Sequence, residues 1–157
     1  MSKKGDKNVV FNHISGLKFS TPICFEDTFP DICRQAYQKG ARCFVSLAND
    51  SWSKSEACQY QHLAMAKMRA VENRVPVIIS SVSGQTSIIT KNGEISAMAI
   101  PFSQTYVIGE VEVIPQSQKP TVYNQIGDIF GYGIAFLLLA LLIIKVFVDI
   151  IKKLRKQ

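Results

Sequence analysis

An extended segment turns into a helix in the stretch Leu17-Lys18-Phe19-Ser20-Thr21-Pro22-Ile23-Cys24-Phe25-Glu26-Asp27-Thr28-Phe29-Pro30. Its first half alternates apolar and polar side chains, which is the period of a half-buried strand. Asp27 and Thr28 are natural N-cap residues for a helix over Pro30–Gln38, in which proline suits the first turn. Cys24 is therefore predicted at a strand-to-helix junction, where enzymes often present a nucleophile. The alternative is that Cys24 is a small buried apolar residue, the commoner role of a lone cysteine.

The rest of the chain up to residue 113 reads as alternating strands and helices, and it contains one clear hairpin around Asn92-Gly93. In chain order the sequence predicts a buried strand, a helix, a second buried strand, the hairpin and a last strand: Cys43–Leu47, Gln59–Asn73, Pro76–Val82, Thr86–Met98 and Thr105–Val113. This order indicates an α/β layer with some antiparallel strands.

Three polar loops follow predicted strands, namely Cys24-Phe25-Glu26, Asn49-Asp50-Ser51-Trp52 and Ser83-Gly84-Gln85-Thr86. In open α/β sheets, functional groups gather at the carboxyl ends of the strands. We therefore expect these loops to meet at one site.

An apolar run from Ile129 to Val148 contains Lys145 as its only charged residue. As a helix this run extends over about 30 Å, the thickness of a bilayer core. The sequence therefore predicts a transmembrane helix over residues 129–148, with the Lys145 amine extending towards the membrane surface. A buried core helix is the alternative, but few soluble helices are apolar on every face for this length.

The charges are unevenly distributed along the chain. The total net charge is +6, of which residues 129–157 carry +4 and residues 1–128 only +2. The basic segment 149–157 predicts a cytoplasmic C-terminus, with residues 1–128 on the other side of the membrane. The basic charge therefore indicates a lipid surface, and no nucleic-acid partner is expected.

The N-terminal residues are polar and show no signal peptide, so export of residues 1–128 is not explained by them. Either the sequence is a fragment of a protein with earlier membrane helices, which we expect, or the predicted topology is wrong. The four cysteines, Cys24, Cys33, Cys43 and Cys58, have no metal-type spacing. Neither a metal nor a cofactor is expected, and no disulfide framework is implied.

Several motifs occur in an order that resembles a known family. They are Ile23-Cys24-Phe25-Glu26-Asp27, Asn49-Asp50-Ser51-Trp52, the helix segment Gln61–Glu72, Ser83-Gly84 with Thr86-Ser87, and Asn92-Gly93-Glu94-Ile95. Together with one apolar C-terminal segment, this set resembles the C-terminal part of the apolipoprotein N-acyltransferases. These are bacterial inner-membrane enzymes of the nitrilase, or carbon–nitrogen hydrolase, superfamily.

The resemblance implies half of an α-β-β-α sandwich over residues 1–128, on the periplasmic side of the inner membrane. It also implies transfer of an acyl chain from a phospholipid to the N-terminal diacylglyceryl-cysteine of lipoproteins. Cys24 matches the nucleophile that forms a thioacyl intermediate, and Glu26 matches the acidic residue beside it. Phe25 stands where the family commonly has Tyr, Trp52 matches a tryptophan of the loop lining the site, and Asn49 belongs to that loop.

The sequence departs from the family pattern upstream of Cys24. Nitrilase-type enzymes use a Glu-Lys-Cys triad whose Glu and Lys precede the nucleophile, but residues 1–23 contain no Glu. The chain alone is therefore expected to be inactive, and a complementary N-terminal half is an expected partner. Two other functions stay open: a non-catalytic, membrane-anchored remnant that binds a partner, and a nitrilase-like amidase. A Cys24–His62 hydrolase is a further alternative, although a helix-capping or packing role for His62 is commoner.

Overall fold

The structure, a computed structural model, describes residues 8–155. It divides into two units, of which the first ends at Gln125 and the second begins at Ile126. The first unit carries all the predicted loops of the site, and the second is almost entirely one helix.

Two short strands, β1 (Phe11–Asn12) and β2 (Lys18–Phe19), pair antiparallel near the start of the first unit. The predicted strand Leu17–Ile23 is therefore much shorter than expected. Beyond β2 the chain stays extended and forms only isolated parallel bridges, from Ser20 and Ile23 to the next strand. Pro22 lies between these bridges, and its lack of an N–H interrupts the ladder of hydrogen bonds.

The main sheet has four strands in the order β3 (Phe44–Asn49), β4 (Val77–Val82), β5 (Ser87–Ile89) and β6 (Ile95–Met98). Strands β3 and β4 are parallel, whereas β4–β5 and β5–β6 are antiparallel. The predicted α/β layer with some antiparallel strands is confirmed. The hairpin around Asn92-Gly93 is confirmed as well.

The predicted strand Thr105–Val113 is wrong, because this segment forms no strand. A Cβ added at Gly109 would lie 2.8 Å from Ile88 Cδ1 and 3.8 Å from Ala97 Cβ. The segment therefore packs on side chains of β5 and β6 and does not extend the sheet by backbone pairing.

Helix α1 (Pro30–Gln38) has the predicted bounds, with proline in its first turn. The predicted N-caps Asp27 and Thr28 are wrong, since the N-cap is Phe29 in an extended conformation. Asp27 points inward instead, with 1% of its surface exposed. Helix α2 (Glu56–Asn73) begins before the predicted Gln59 and ends at Asn73 as expected.

The core of the first unit lies between α1, α2 and the sheet. Its buried apolar side chains come from both layers: Cys33, Ala36, Tyr37, Ala41, Phe44, Leu63, Ala66, Ala70, Val75, Val77, Ile79, Ile89 and Ile114. A short helix α3 (Val122–Ile126) follows the last irregular segment of this unit.

The second unit consists mainly of helix α4 (Ile129–Leu154), which has 26 residues. None of its residues is buried, and within residues 8–155 it is the only helix long and apolar enough to cross a membrane. The predicted span over residues 129–148 lies inside α4, and the helix continues through the start of the basic segment. Residues 156 and 157 lie outside the described part of the chain.

Candidate functional site

Cys24 begins a short 3-10 helix (Cys24–Thr28), and it adopts a left-handed backbone conformation with φ of 52°. Only a few residues other than glycine adopt such a conformation, and it is found preferentially where function holds the backbone in a strained turn. The thiol is partly exposed, and its Sγ lies 4.0 Å from the carbonyl oxygen of Asn49. Cys24 is therefore held on a tight turn beside the carboxyl end of β3, as the sequence predicts.

The other two predicted loops meet at the same edge of the sheet. The Asp50 backbone N–H donates to the Val82 carbonyl oxygen at 3.0 Å. The Ser81 hydroxyl donates to Asp50 Oδ2 at 2.6 Å. Gly84 approaches both side chains so closely that a Cβ there would collide with Ser81 and Asp50. All three loops are thus brought together at the carboxyl ends of the strands.

Glu26 closes the turn that carries Cys24. Its Oε2 accepts a hydrogen bond from the Ile23 backbone N–H at 2.8 Å, across the first turn of the 3-10 helix. The Thr28 hydroxyl donates to the Phe25 carbonyl oxygen at 2.7 Å and fixes the other end of this turn. The side chain of Glu26 is exposed, so that its second carboxylate oxygen remains accessible.

Aromatic side chains at the site are exposed although they are large and apolar. Phe25 is 53% exposed, and its ring lies 6.2 Å from that of Phe29. Trp52 is 68% exposed in the loop after β3. Asn49 is also exposed, but its Oδ1 accepts hydrogen bonds from the N–H and hydroxyl of Ser51 and so orders its own loop.

A buried polar network beneath the Cys24 turn was not predicted. His62 Nε2 lies 2.7 Å from Asp27 Oδ1, and His62 Nδ1 lies 3.2 Å from Asp50 Oδ1. The Ser46 hydroxyl donates to the second oxygen of Asp27 at 2.6 Å. The exposed fractions of Asp27, Asp50 and His62 are 1%, 5% and 8%. The sequence signal that could have revealed this network is the recurrence of polar residues on the buried face of α2: Gln59, His62, Arg69 and Asn73.

The pKa of His62 is raised above its ordinary value, chiefly by the hydrogen bond to Asp27. Burial acts in the opposite direction, and the charges of Asp27 and Asp50 add to the increase. Because both ring nitrogens face carboxylates, His62 is not arranged as a base for Cys24. The Cys24–His62 hydrolase finds no support in this geometry, in which His62 is a buried residue that bridges Asp27 and Asp50.

The four cysteines differ in accessibility, and all are free thiols. Cys33 and Cys43 are buried, and burial raises the pKa of each to about 12. Cys24 and Cys58 are partly exposed. Cys58 lies in the first turns of α2, which makes it a natural control for the chemistry of Cys24.

Comparison with known proteins gives a consistent result. The carbon-nitrogen hydrolase family model matches residues 1–114. The chain is 47% identical over 117 residues to apolipoprotein N-acyltransferase 1 of Treponema denticola, covering 74% of this chain and 21% of that protein. It is 37% identical over 111 residues to apolipoprotein N-acyltransferase of Geobacter metallireducens, covering 71% of this chain and 21% of that protein. The chain thus spans about a fifth of the length of these relatives.

Solved structures show the same fold. Nit3 of Saccharomyces cerevisiae, a member of the nitrilase superfamily, aligns with a TM-score of 0.50 and 25% identity, over 62% of this chain and 38% of that chain. An amidase from Nesterenkonia sp. AN1 aligns with a TM-score of 0.51 and 16% identity, over 62% of this chain and 40% of that chain. The first unit is therefore a nitrilase-like α/β fold, matching a little over a third of each solved chain.

Proposed function

The chain belongs to the carbon-nitrogen hydrolase family, and from that premise we propose that it acts as the C-terminal part of an apolipoprotein N-acyltransferase. It would transfer an acyl chain from a phospholipid to the N-terminal diacylglyceryl-cysteine of a lipoprotein. The observation that carries this proposal is Cys24, a partly exposed thiol on a left-handed turn where three loops meet. The names of the similar proteins supply the substrate class.

The proposed reaction has two steps through Cys24. The thiolate attacks the carbonyl carbon of the phospholipid ester, so that a C–S bond forms and the C–O bond breaks. The lysophospholipid oxygen takes up a proton and leaves. The amine of the lipoprotein cysteine then attacks the thioester, so that a C–N bond forms, the C–S bond breaks and the amine loses a proton to a base. Backbone N–H groups at the Cys24 turn are suited to hold the oxyanion.

The neighbouring residues are proposed to orient the substrates. The Glu26 carboxylate holds the turn through Ile23, and its accessible second oxygen is suited to orient the acceptor amine. Phe25 and Trp52 offer exposed apolar surface to an acyl chain. Asn49 is proposed to contact substrate from the loop that it orders.

Helix α4 is proposed to anchor the chain in the bacterial inner membrane, with residues 1–128 periplasmic and the basic segment cytoplasmic. Its length and its lack of buried residues support a membrane-spanning role. The four positive charges after residue 148 support the orientation.

The base Glu and the Lys of the family triad are proposed to come from a complementary N-terminal half. Residues 1–23 contain no Glu, and the matched relatives are about five times longer than the aligned part. A membrane-anchored remnant that only binds a partner, and an amidase acting on a small amide, are the competing functions.

A chimera tests the proposal. This chain replaces the matching C-terminal part of the Treponema denticola relative, and the chimera is expressed in membranes with a diacylglyceryl lipoprotein. We expect mass spectrometry to detect an N-acylated lipoprotein N-terminus. Cys24→Ala should abolish the product, whereas Cys58→Ala, which removes the other partly exposed thiol, should leave it unchanged.

The competing functions give different results in the same system. A remnant yields no N-acylated product from a chimera that is correctly inserted in the membrane. An amidase releases ammonia from a small amide in a Cys24-dependent way but does not acylate the lipoprotein. Product formation that persists in Cys24→Ala would contradict the proposed nucleophile.

A further inference from the structure

His62 connects two of the three loops that form the candidate site, and through Asp50 it reaches the end of the strand that leads into the third. It lies on α2, yet it bonds Asp27 of the Cys24–Thr28 turn and Asp50 of the loop after β3. Asp50 in turn accepts from Ser81, at the end of β4. One side chain thus links the element that carries Cys24 to the Asp50 loop and to the end of β4.

The hydrogen-bond geometry determines which protonation state of the His62 ring fits between Asp27 and Asp50. An ionised carboxylate only accepts hydrogen bonds, and a neutral imidazole donates from one nitrogen only. Carboxylate oxygens lie 2.7 Å from Nε2 and 3.2 Å from Nδ1, so two donors are needed between Asp27 and Asp50. The doubly protonated ring satisfies both contacts, and its charge offsets that of one carboxylate. The Ser46 and Ser81 hydroxyls donate to the remaining carboxylate oxygens.

We propose that His62 is a positioning residue whose doubly protonated ring clamps the Cys24 turn to the Asp50 loop and, through Asp50, to Ser81 at the end of β4. The clamp acts through Asp27, three residues after Cys24 in the same 3-10 helix. Loss of the ring proton removes one of the two hydrogen bonds and loosens the turn. This inference rests on the proposed function, because a clamp on the turn affects acyl transfer only if Cys24 is the nucleophile.

Among residues 8–155, the Asp27 and Asp50 carboxylates are the charged groups bonded to His62. Strands β3 and β4 contribute the neutral hydroxyls of Ser46 and Ser81. Helix α1 contributes Cys33, which interacts with Asp27 and whose pKa burial raises to about 12, so it remains neutral near pH 7. Further along α2, Arg69 bonds the Glu72 carboxylate at 2.8 Å and the Thr28 carbonyl oxygen at 3.3 Å.

The first experiment uses the full chain in lipid nanodiscs and needs no substitution. The sequence has two histidines, so long-range ¹H–¹⁵N spectra of ¹⁵N-histidine-labelled protein resolve His62 against His13 as an internal control. His13 is exposed, and its ring Nδ1 lies 2.8 Å from the Ser15 hydroxyl. We expect His62 to keep both ring protons above pH 6.5, the ordinary value for histidine. A His62 ring that loses its second proton at or below pH 6.5 would overturn the proposal.

The second experiment measures the position of Cys24 through its reactivity. The alkylation rate of Cys24 by iodoacetamide is divided by that of Cys58 and followed against pH in the same nanodiscs. We expect an inflection in this ratio at the midpoint of His62 titration, and a several-fold change of the ratio in His62→Gln. His13→Gln should match the original chain. The same pH profile in the original chain and in a folded His62→Gln variant would overturn the proposal.

These measurements do not use acyl transfer, so the two proposals fail separately. In one outcome the chimera forms no N-acylated lipoprotein, while the pH midpoint of His62 titration is high and the Cys24 alkylation ratio changes at that midpoint. That result would contradict the proposed function but support the positioning role of His62. If His62→Gln does not fold, the His62 spectra of the original chain still decide whether both ring nitrogens are protonated.

Discussion

The two units of the molecule depart in opposite ways from an ordinary water-soluble domain. The first unit buries charged side chains, with Asp27 1% and His62 8% exposed. In the second unit, α4 exposes apolar ones, with Phe136 75% and Leu138 61% exposed. Charged groups are almost never fully buried unless they are paired, and large apolar patches on soluble surfaces are rare.

The difference shows that each unit is suited to a different environment. In the first unit, Asp27, Asp50 and His62 are hydrogen-bonded to one another and to the Ser46 and Ser81 hydroxyls. A buried network of this kind often costs stability relative to an apolar core. Because this network lies beneath the Cys24 turn, we infer that its role is to position that turn. In α4, apolar side chains on every face suit a lipid phase, where the backbone hydrogen bonds of the helix are satisfied internally.

Breaking the buried network of Asp27, Asp50 and His62 should have the largest effect, a loss in the free energy of unfolding. Asp27→Ala leaves His62 Nε2 and the Ser46 hydroxyl without their acceptor, and removal of one partner of a buried ion pair costs about 3–5 kcal/mol. Urea unfolding in detergent micelles, followed by fluorescence of Trp52, the only tryptophan, measures this loss.

The matched control for that substitution is Asp31→Ala. Asp31 is an acidic residue of the next helix turn, 67% exposed and 3.9 Å from Arg34. Its removal should change the free energy of unfolding by no more than about 0.5 kcal/mol. Equal effects of the two substitutions would show that the buried network does not stabilise the first unit.

A charge in the middle of α4 should have the next largest effect, on membrane insertion. Leu138→Arg places a guanidinium near the centre of the span, which costs about 3 kcal/mol on insertion scales. Leu154→Arg is the control, because that side chain is similarly exposed but lies at the helix end, where arginine reaches the membrane surface. The fraction of protein in carbonate-washed membranes should fall for the first variant only. Equal fractions would argue against α4 as a membrane-spanning helix.

The pH dependence of stability should give the smallest of these effects. The folded-state pKa of His62 lies above the ordinary value of 6.5, so protonation of His62 favours the folded state. This contribution is fully present below pH 6.5 and is lost as the pH rises through the folded-state pKa. The free energy of unfolding of the original chain should therefore fall over that range relative to His62→Gln. Parallel pH curves for the two proteins would contradict the raised pKa.

Local patterns predicted most elements of the fold. Pro30 and Gly40 defined helix α1, and the Asn92-Gly93 pair defined the hairpin, because each feature depends on residues close together in sequence. The segment 105–113 was mistaken for a strand because its apolar alternation is real. Whether such a segment pairs with a sheet edge or packs on its face depends on tertiary contacts, here those of Gly109 with β5 and β6.

The sequence predicted which loops form the candidate site, but not the buried hydrogen-bond network beneath them. Functional loops gather at the carboxyl ends of strands, and this rule predicted that Cys24 and the two other loops lie close together. Asp27 was misassigned as an N-cap because an acidic residue before a helix usually caps it. Its real partners, Ser46 and His62, are distant in sequence, and their meeting depends on how α2 packs against the Cys24 turn.

The most direct test of the central claim is detection of an acyl group on Cys24. The chimera with the Treponema denticola relative is incubated in membranes with a phospholipid that carries an alkyne-tagged acyl chain, without lipoprotein acceptor. We predict a tag on the peptide containing Cys24 that hydroxylamine removes, as expected for a thioester. The tag should disappear in Cys24→Ala and persist in Cys58→Ala. An untagged Cys24 in a chimera that still N-acylates lipoprotein, or a tag that survives in Cys24→Ala, would contradict the proposed mechanism.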